Sequence, residues 1–274
     1  MKLIKHENQT FARCLFYGAA GSGKTTLLGT AMNDERSAPS LHIDCFGNTV
    51  SLRNNKKPPL TMSCDTREDL NFIYDHFAND QPELSSLNNL WKQTKASEGK
   101  ALPRFKTLCF DGVSGLQFIA QSEITGNKDR KPGDTLAPMK LQDWGTLLTL
   151  MDKFAASFFG LPKIHVLVTA LERVDEEELT KVREWSPALG GQSVTILPAY
   201  AYAVGRVMRL NRINPTAQAQ YSLTSDIHSI TFFEPLGKFV AKDQYGGFDQ
   251  YVADLTMTKL LDMIERSNNP GRQG

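Results

Sequence analysis

Short apolar runs alternate along this chain with segments whose apolar positions recur every third or fourth residue, and polar, glycine- or proline-bearing turns separate them. The runs at 11–17, 40–44, 105–111 and 164–170 predict buried strands. Helical periodicity predicts helices over 25–32, over 82–94 and over 141–159. A further helix is expected after Thr66, which with Asp69 forms a capping pair ahead of Leu70, Ile73, Tyr74 and Phe77. Strands that alternate with helices imply right-handed crossovers and a mainly parallel sheet flanked by helices, an α/β fold. Beyond 170 the rhythm changes. A charged insertion over 174–185, a turn over 187–191 and a short helix over 198–204 precede short strands at 205–212, 220–224, 229–233 and 239–241, read as antiparallel additions toward the C-terminal end. A helix over 254–266 closes a single domain of residues 1–266, with 267–274 as a flexible tail and 1–10 as an edge strand or arm.

Composition narrows the class. The chain has 274 residues, 41% hydrophobic and 22% charged, which fits one large α/β domain and excludes disorder as the default. A formal net charge of +1 gives no global positive field, so any nucleic-acid contact has to come from local basic loops. Cys14, Cys45, Cys64 and Cys109 lack metal-ligand spacing and read as small core residues in a reducing compartment. No apolar run is long enough for a membrane span and the N-terminal residues are polar, so the expected setting is the cytoplasm, with no membrane partner.

One motif carries most of the chemistry. Gly18, Ala19, Ala20, Gly21, Ser22, Gly23, Lys24, Thr25 and Thr26 follow a buried strand and open a helix, the context a phosphate-binding loop requires. Polyphosphate capture needs several backbone N–H groups converging on one point, and glycines let the backbone approach that closely. Lys24 is placed for the terminal phosphate oxygens, Thr25 for Mg²⁺, and Thr26 for the α-phosphate end of ATP. A second acid must hold the metal's water shell. Asp111, at the end of an apolar strand, fits that task. For in-line attack by water, the strand-end carboxylates Asp44 and Glu172 are the candidate bases, with Asp65 behind them, and Thr169 is the candidate polar contact to the γ-phosphate.

Together these motifs, with Asp143-Trp-Gly145, Pro187-Ala-Leu-Gly190 and Ala241-Lys242-Asp243, resemble the bacteriophage RecA-like P-loop ATPases, the group that includes phage single-strand annealing recombinases. The resemblance covers about residues 11–245. It implies a RecA-like P-loop NTPase core, Mg·ATP at a subunit interface, and a ring or filament on single-stranded DNA, with a single-strand-binding protein as a helper. In a phage-encoded protein the cytoplasm would be the host's. It also implies that Lys242, and with it Lys238, could act as a lysine finger, so that Lys24, Asp44, Glu172 and Lys242 become the candidate catalytic residues. DNA contacts would come from Lys128, Arg130 and Lys131, or from Lys181, Arg183 and Trp185. The chain departs from the family's pattern at Phe46, where relatives usually carry the glutamate that activates water, and at Leu171, where a polar residue is frequent. Two other functions fit the same loop: a nucleotide-gated assembly or loader protein with weak or absent hydrolysis, and a small-molecule kinase, although no arginine-rich lid segment is present.

Overall fold

The computed structural model describes residues 10–47, 49–79, 81–126, 137–176, 183–209, 228–235 and 238–269. Within them one sheet runs through the molecule in the order β10-β8-β7-β1-β5-β4-β2-β3, with β6 paired to β5 and β9 to β7. Its strands are β1 (Arg13–Gly18), β2 (Ser40–Asp44), β3 (Leu60–Ser63), β4 (Thr107–Asp111), β5 (His165–Glu176), β6 (Arg183–Pro187), β7 (Ala203–Arg209), β8 (Ser229–Phe232), β9 (Lys242–Asp243) and β10 (Tyr251–Ala253). The helices are α1 (Lys24–Gly29), α2 (Arg67–Ala78), α3 (Ser86–Lys92), α4 (Val113–Ile124), α5 (Leu141–Phe159), α6 (Ser193–Tyr200) and α7 (Met257–Asn268). This is the RecA-like P-loop NTPase fold: a mainly parallel sheet between helices, with antiparallel strands near the C-terminus.

The central strand explains why the first apolar run is unbroken. Every residue of β1 is buried, because helices cover both faces of the sheet. Leu15 and Tyr17 enter the core under α4, α5 and α6, together with Phe110, Phe154 and Phe158. Cys14 and Phe16 enter the opposite core, where Leu27 and Leu28 of α1 meet Leu260, Leu261 and Ile264 of α7. All four cysteines are free and buried in these cores, as their composition suggested. Among the described residues no helix is long and apolar enough to cross a membrane.

The helix starts follow local chemistry. At α2, Thr66 accepts from the Asp69 amide at 3.1 Å while its own amide donates to Asp69 at 2.8 Å, the reciprocal cap read from sequence. Helix α5 has the expected bounds and buries Leu147, Met151, Phe154, Ala155 and Phe158.

Several expectations need correction. The four-residue edge strand β3 was not anticipated; only Leu60 and Met62 of its side chains lean on the core, too weak a signal in so short a run. The charged insertion is instead the outer half of β5 paired antiparallel with β6, a hairpin whose polar residues are exposed because it extends past the covered sheet. The short helix lies over Ser193–Tyr200, earlier than expected, with Pro198 in its last turn. Residues from Ala203 onward form β7, which is parallel to β1 and sits beside it. Small residues make that pairing possible, since a Cβ on Gly205 would lie 2.7 Å from Thr231. β10 was also missed, and α7 starts at Met257 because Asp254 occupies a left-handed turn with φ 41°. β9 covers Lys242–Asp243, just beyond the strand expected at 239–241. The strand read at 220–224, the arm at 1–9 and the tail residues 270–274 lie outside the described residues.

Candidate nucleotide site at the sheet edge

The loop between β1 and α1 adopts the conformation its glycines permit. Gly21 and Gly23 have φ of 71° and 104°, values a side chain would strain. Gly18 is required for a different reason: a Cβ there would stand 2.1 Å from the Val207 carbonyl of β7. Lys24 is buried, and its ammonium donates to the carbonyls of Gly18 at 2.8 Å and Ala19 at 2.9 Å. The loop thus curls around its own lysine, holding a positive charge at the floor of a cavity of about 320 Å³. Ala20, Gly21, Ser22, Gly23, Thr25 and Thr26 form one wall of that cavity; Asp44, Phe46, Asp111, Thr169 and Leu171 form another.

The second wall comes from three adjacent strands. β2 and β4 pair in parallel so that Asp44 stands level with Asp111, and both acids arrive at the C-terminal edge where ligands bind in such sheets. The Thr169 hydroxyl donates to Asp111 Oδ1 at 2.7 Å and accepts the Gly112 amide at 2.8 Å. Thr169 therefore orients the acid, a role different from the direct phosphate contact expected of it. Hard oxygen donors from Thr25 and Asp111 on facing walls suit Mg²⁺, and the amide-rich loop with its buried lysine suits the polyphosphate of ATP.

The candidate bases fare differently. Asp44 lines the cavity, but its Oδ1 accepts the amides of Phe46 at 3.0 Å and Gly47 at 2.8 Å, so it also closes the turn after β2. Glu172 is not among the cavity-lining residues; its carboxylate accepts from the Arg206 guanidinium at 3.2 Å, which corrects its assignment as a base. Arg206 in turn lies 4.6 Å from the Trp185 ring centre and 5.2 Å from that of Phe239. This buried stack fixes the base of the hairpin. Asp65 is exposed and remote from the cavity lining. Phe46 holds the remaining position, its ring packed on Gly112 so closely that a Cβ there would fall 2.1 Å from it.

Lys242 is likewise reassigned. Its ammonium donates to the carbonyls of Pro198, Ala199 and Ala201 at 3.0, 3.0 and 2.7 Å, capping the C-terminus of α6, and burial lowers its pKa. A lysine spent on those carbonyls is not presented to a neighbouring molecule. Lys238 stands 4.0 Å from Glu184. Of the residues expected to meet DNA, Lys128, Arg130, Lys131 and Lys181 lie outside the described residues, Arg183 pairs with Glu176 at 2.9 Å, and Trp185 lies against Arg206. Sequence reasoning missed Arg209 and Ser51, both of which line the cavity. Reading β7 as parallel to β1 would have found Arg209, since it ends that strand at the same sheet edge.

No curated protein matches the chain in sequence. Among solved structures, the ATPase domain of a helicase is similar at 12% identity with a TM-score of 0.37, over 92% of this chain and 84% of that one. The family comparison agrees with the geometry of the loop and its facing acid: residues 10–245 match the AAA domain, so the chain belongs to that family of P-loop ATPase domains.

Proposed function

We propose that the chain binds Mg·ATP in the cavity at the end of β1 and that ATP occupancy, with slow turnover, is its working state. One observation supports this above the others: the buried Lys24 and the Thr169-oriented Asp111 face one cavity, whereas Phe46 fills the place where a water-activating carboxylate would stand. Lys24 and the loop amides hold the phosphates; Thr25 and Asp111 hold Mg²⁺, which neutralises phosphate charge when bound. Among the described residues, Asp44 is the one acid besides Asp111 in the cavity lining, and it is the base for the residual hydrolysis. Such a chain serves as a nucleotide-gated assembly or loader module, in which bound ATP stabilises contact with another copy.

The second reading is an oligomeric ATPase that works on single-stranded DNA in recombination. The hairpin favours it, because β5 carries Thr169 at the nucleotide and continues directly into the charged β5–β6 ribbon. A steady-state ATPase assay with and without single-stranded DNA, on wild type and Lys24→Ala, separates the two. The gate gives slow, Lys24-dependent turnover that DNA leaves unchanged. Strong stimulation by DNA supports the second reading, and absence of any Lys24-dependent ATP binding removes both.

A further inference from the structure

The cavity has a third flank that neither the loop motif nor the metal-holding acid accounts for. β7 lies across β1 from β5 and β4, so its end stands on the opposite side of the loop from Asp111. Tyr17 is level with Arg206 in the parallel register, which puts Gly18 level with Val207 and Arg209 two residues further on, roughly 7 Å beyond the end of β1. Alternation places Arg209 on the same face as Val207, the face covered by α1 and α7. Arg209 lines the cavity there.

Its cross-strand partner is Ser229, the first residue of β8. A Cβ on Gly23 would meet Ser229 at 3.9 Å, so the end of the β7–β8 pair abuts the loop where α1 begins. Asp254 fixes that end. Its carboxylate accepts the amides of His228 at 3.0 Å and Ser229 at 2.8 Å and the Ser229 hydroxyl at 3.3 Å, and its own amide donates to the Ser229 carbonyl at 2.8 Å. The left-handed backbone at Asp254 is what brings its side chain and its amide to the same strand end.

We infer that this strand end is the nucleoside-side flank of the site, with Arg209 binding the phosphate nearest the ribose and Asp254 positioning the flank through Ser229. The inference rests on the nucleotide-binding reading above and deepens it. A polyphosphate whose metal-bound end lies at Asp111 must direct its other end away from β4, across the loop, toward Arg209 and the exposed Thr26. Arginine suits that place, because its planar fork binds phosphate oxygens in pairs. A contact to the phosphate shared by ATP and ADP predicts equal effects on both.

The test is titration of ATP and ADP, each with Mg²⁺, into wild type, Arg209→Ala, Arg209→Lys and Lys24→Ala. Arg209→Ala is expected to weaken ATP and ADP alike by about tenfold, and Arg209→Lys to recover part of that loss. Arg209 is exposed, so thermal melts of the variants should match wild type. Unchanged affinity in Arg209→Ala, with wild-type binding intact and Lys24-dependent, overturns this inference alone; loss confined to ATP overturns the assigned phosphate. Wild type that fails to bind either nucleotide takes down the nucleotide reading and this inference together.

Discussion

The loop flank and the β2–β4 flank of the cavity share one space but differ in how complete they are. On the loop flank each requirement for holding phosphate has a residue: positive-φ glycines, a buried lysine, threonines at the helix start. On the β2–β4 flank the metal-holding acid is present and oriented, while the position for activating water is taken by an aromatic ring resting on Gly112. The difference teaches that gripping a nucleotide and cleaving it are built from separate strands, so one can be retained while the other is weak.

The largest expected effect breaks the strong side. Lys24→Ala removes the charge at the cavity floor, and with it charge-assisted contacts to more than one phosphate oxygen. ATP affinity should fall about a thousandfold. Isothermal titration with Mg·ATP checks this; affinity within a few fold of wild type would mean the phosphates lie elsewhere.

The next effect repairs the weak side. Phe46→Glu puts a carboxylate where water activation needs one, between Asp44 and Asp111 at the strand ends. Turnover at saturating ATP should rise about a hundredfold, the low end of what a positioned base contributes. If phosphate release stays at the wild-type rate while ATP still binds, the ring is not what limits hydrolysis.

How far the sequence alone revealed this contrast depends on the kind of signal each side leaves. The loop is contiguous and its chemistry demands particular residue types, so Gly18 to Thr26 could be read directly. Asp111 was readable because an apolar strand delivers it, and α5 because nineteen residues keep one helical period. Glu172 and Lys242 misled because strand-end position says nothing about partners: only the fold brings Arg206 against the former and the end of α6 against the latter. Arg209 was hidden by a topological error. β7 follows a hairpin and a proline-bearing helix, which reads like the start of antiparallel additions, yet it returns to lie parallel beside β1. Sequence patterns that act over a few residues survived folding; those set by which strand sits next to which did not appear until the sheet order was known.

The remaining two predictions separate structural from catalytic use of the reassigned residues, and both should lower stability without altering turnover per folded molecule. Glu172→Ala leaves Arg206 without its ion-pair partner, and both side chains are largely shielded, at 8% and 18% exposure. Loss of a partner from a fully buried pair costs about 3–5 kcal/mol; the residual exposure and the aromatic stack on Arg206 reduce that to about 2 kcal/mol. Chemical denaturation with the ATPase rate on the same sample measures both quantities. A drop in rate without a drop in stability would restore Glu172 as a base.

Lys242→Ala is the smallest change expected and the most direct test of the finger assignment. The ammonium satisfies three carbonyls at the end of α6, groups that Pro198 and the helix terminus leave without amide partners nearby. Its partial exposure lets water replace some of those contacts, so removal should cost about 1 kcal/mol and lower the unfolding midpoint modestly. A lysine finger would behave in the opposite way, leaving the isolated chain's stability unchanged and slowing hydrolysis by orders of magnitude in the assembled state, because charge supplied to the γ-phosphate acts on the transition state. Measuring denaturation midpoint and turnover at several protein concentrations distinguishes the two: a stability loss independent of concentration assigns Lys242 to the α6 cap, and a rate loss that appears only at high concentration assigns it to a neighbour's nucleotide.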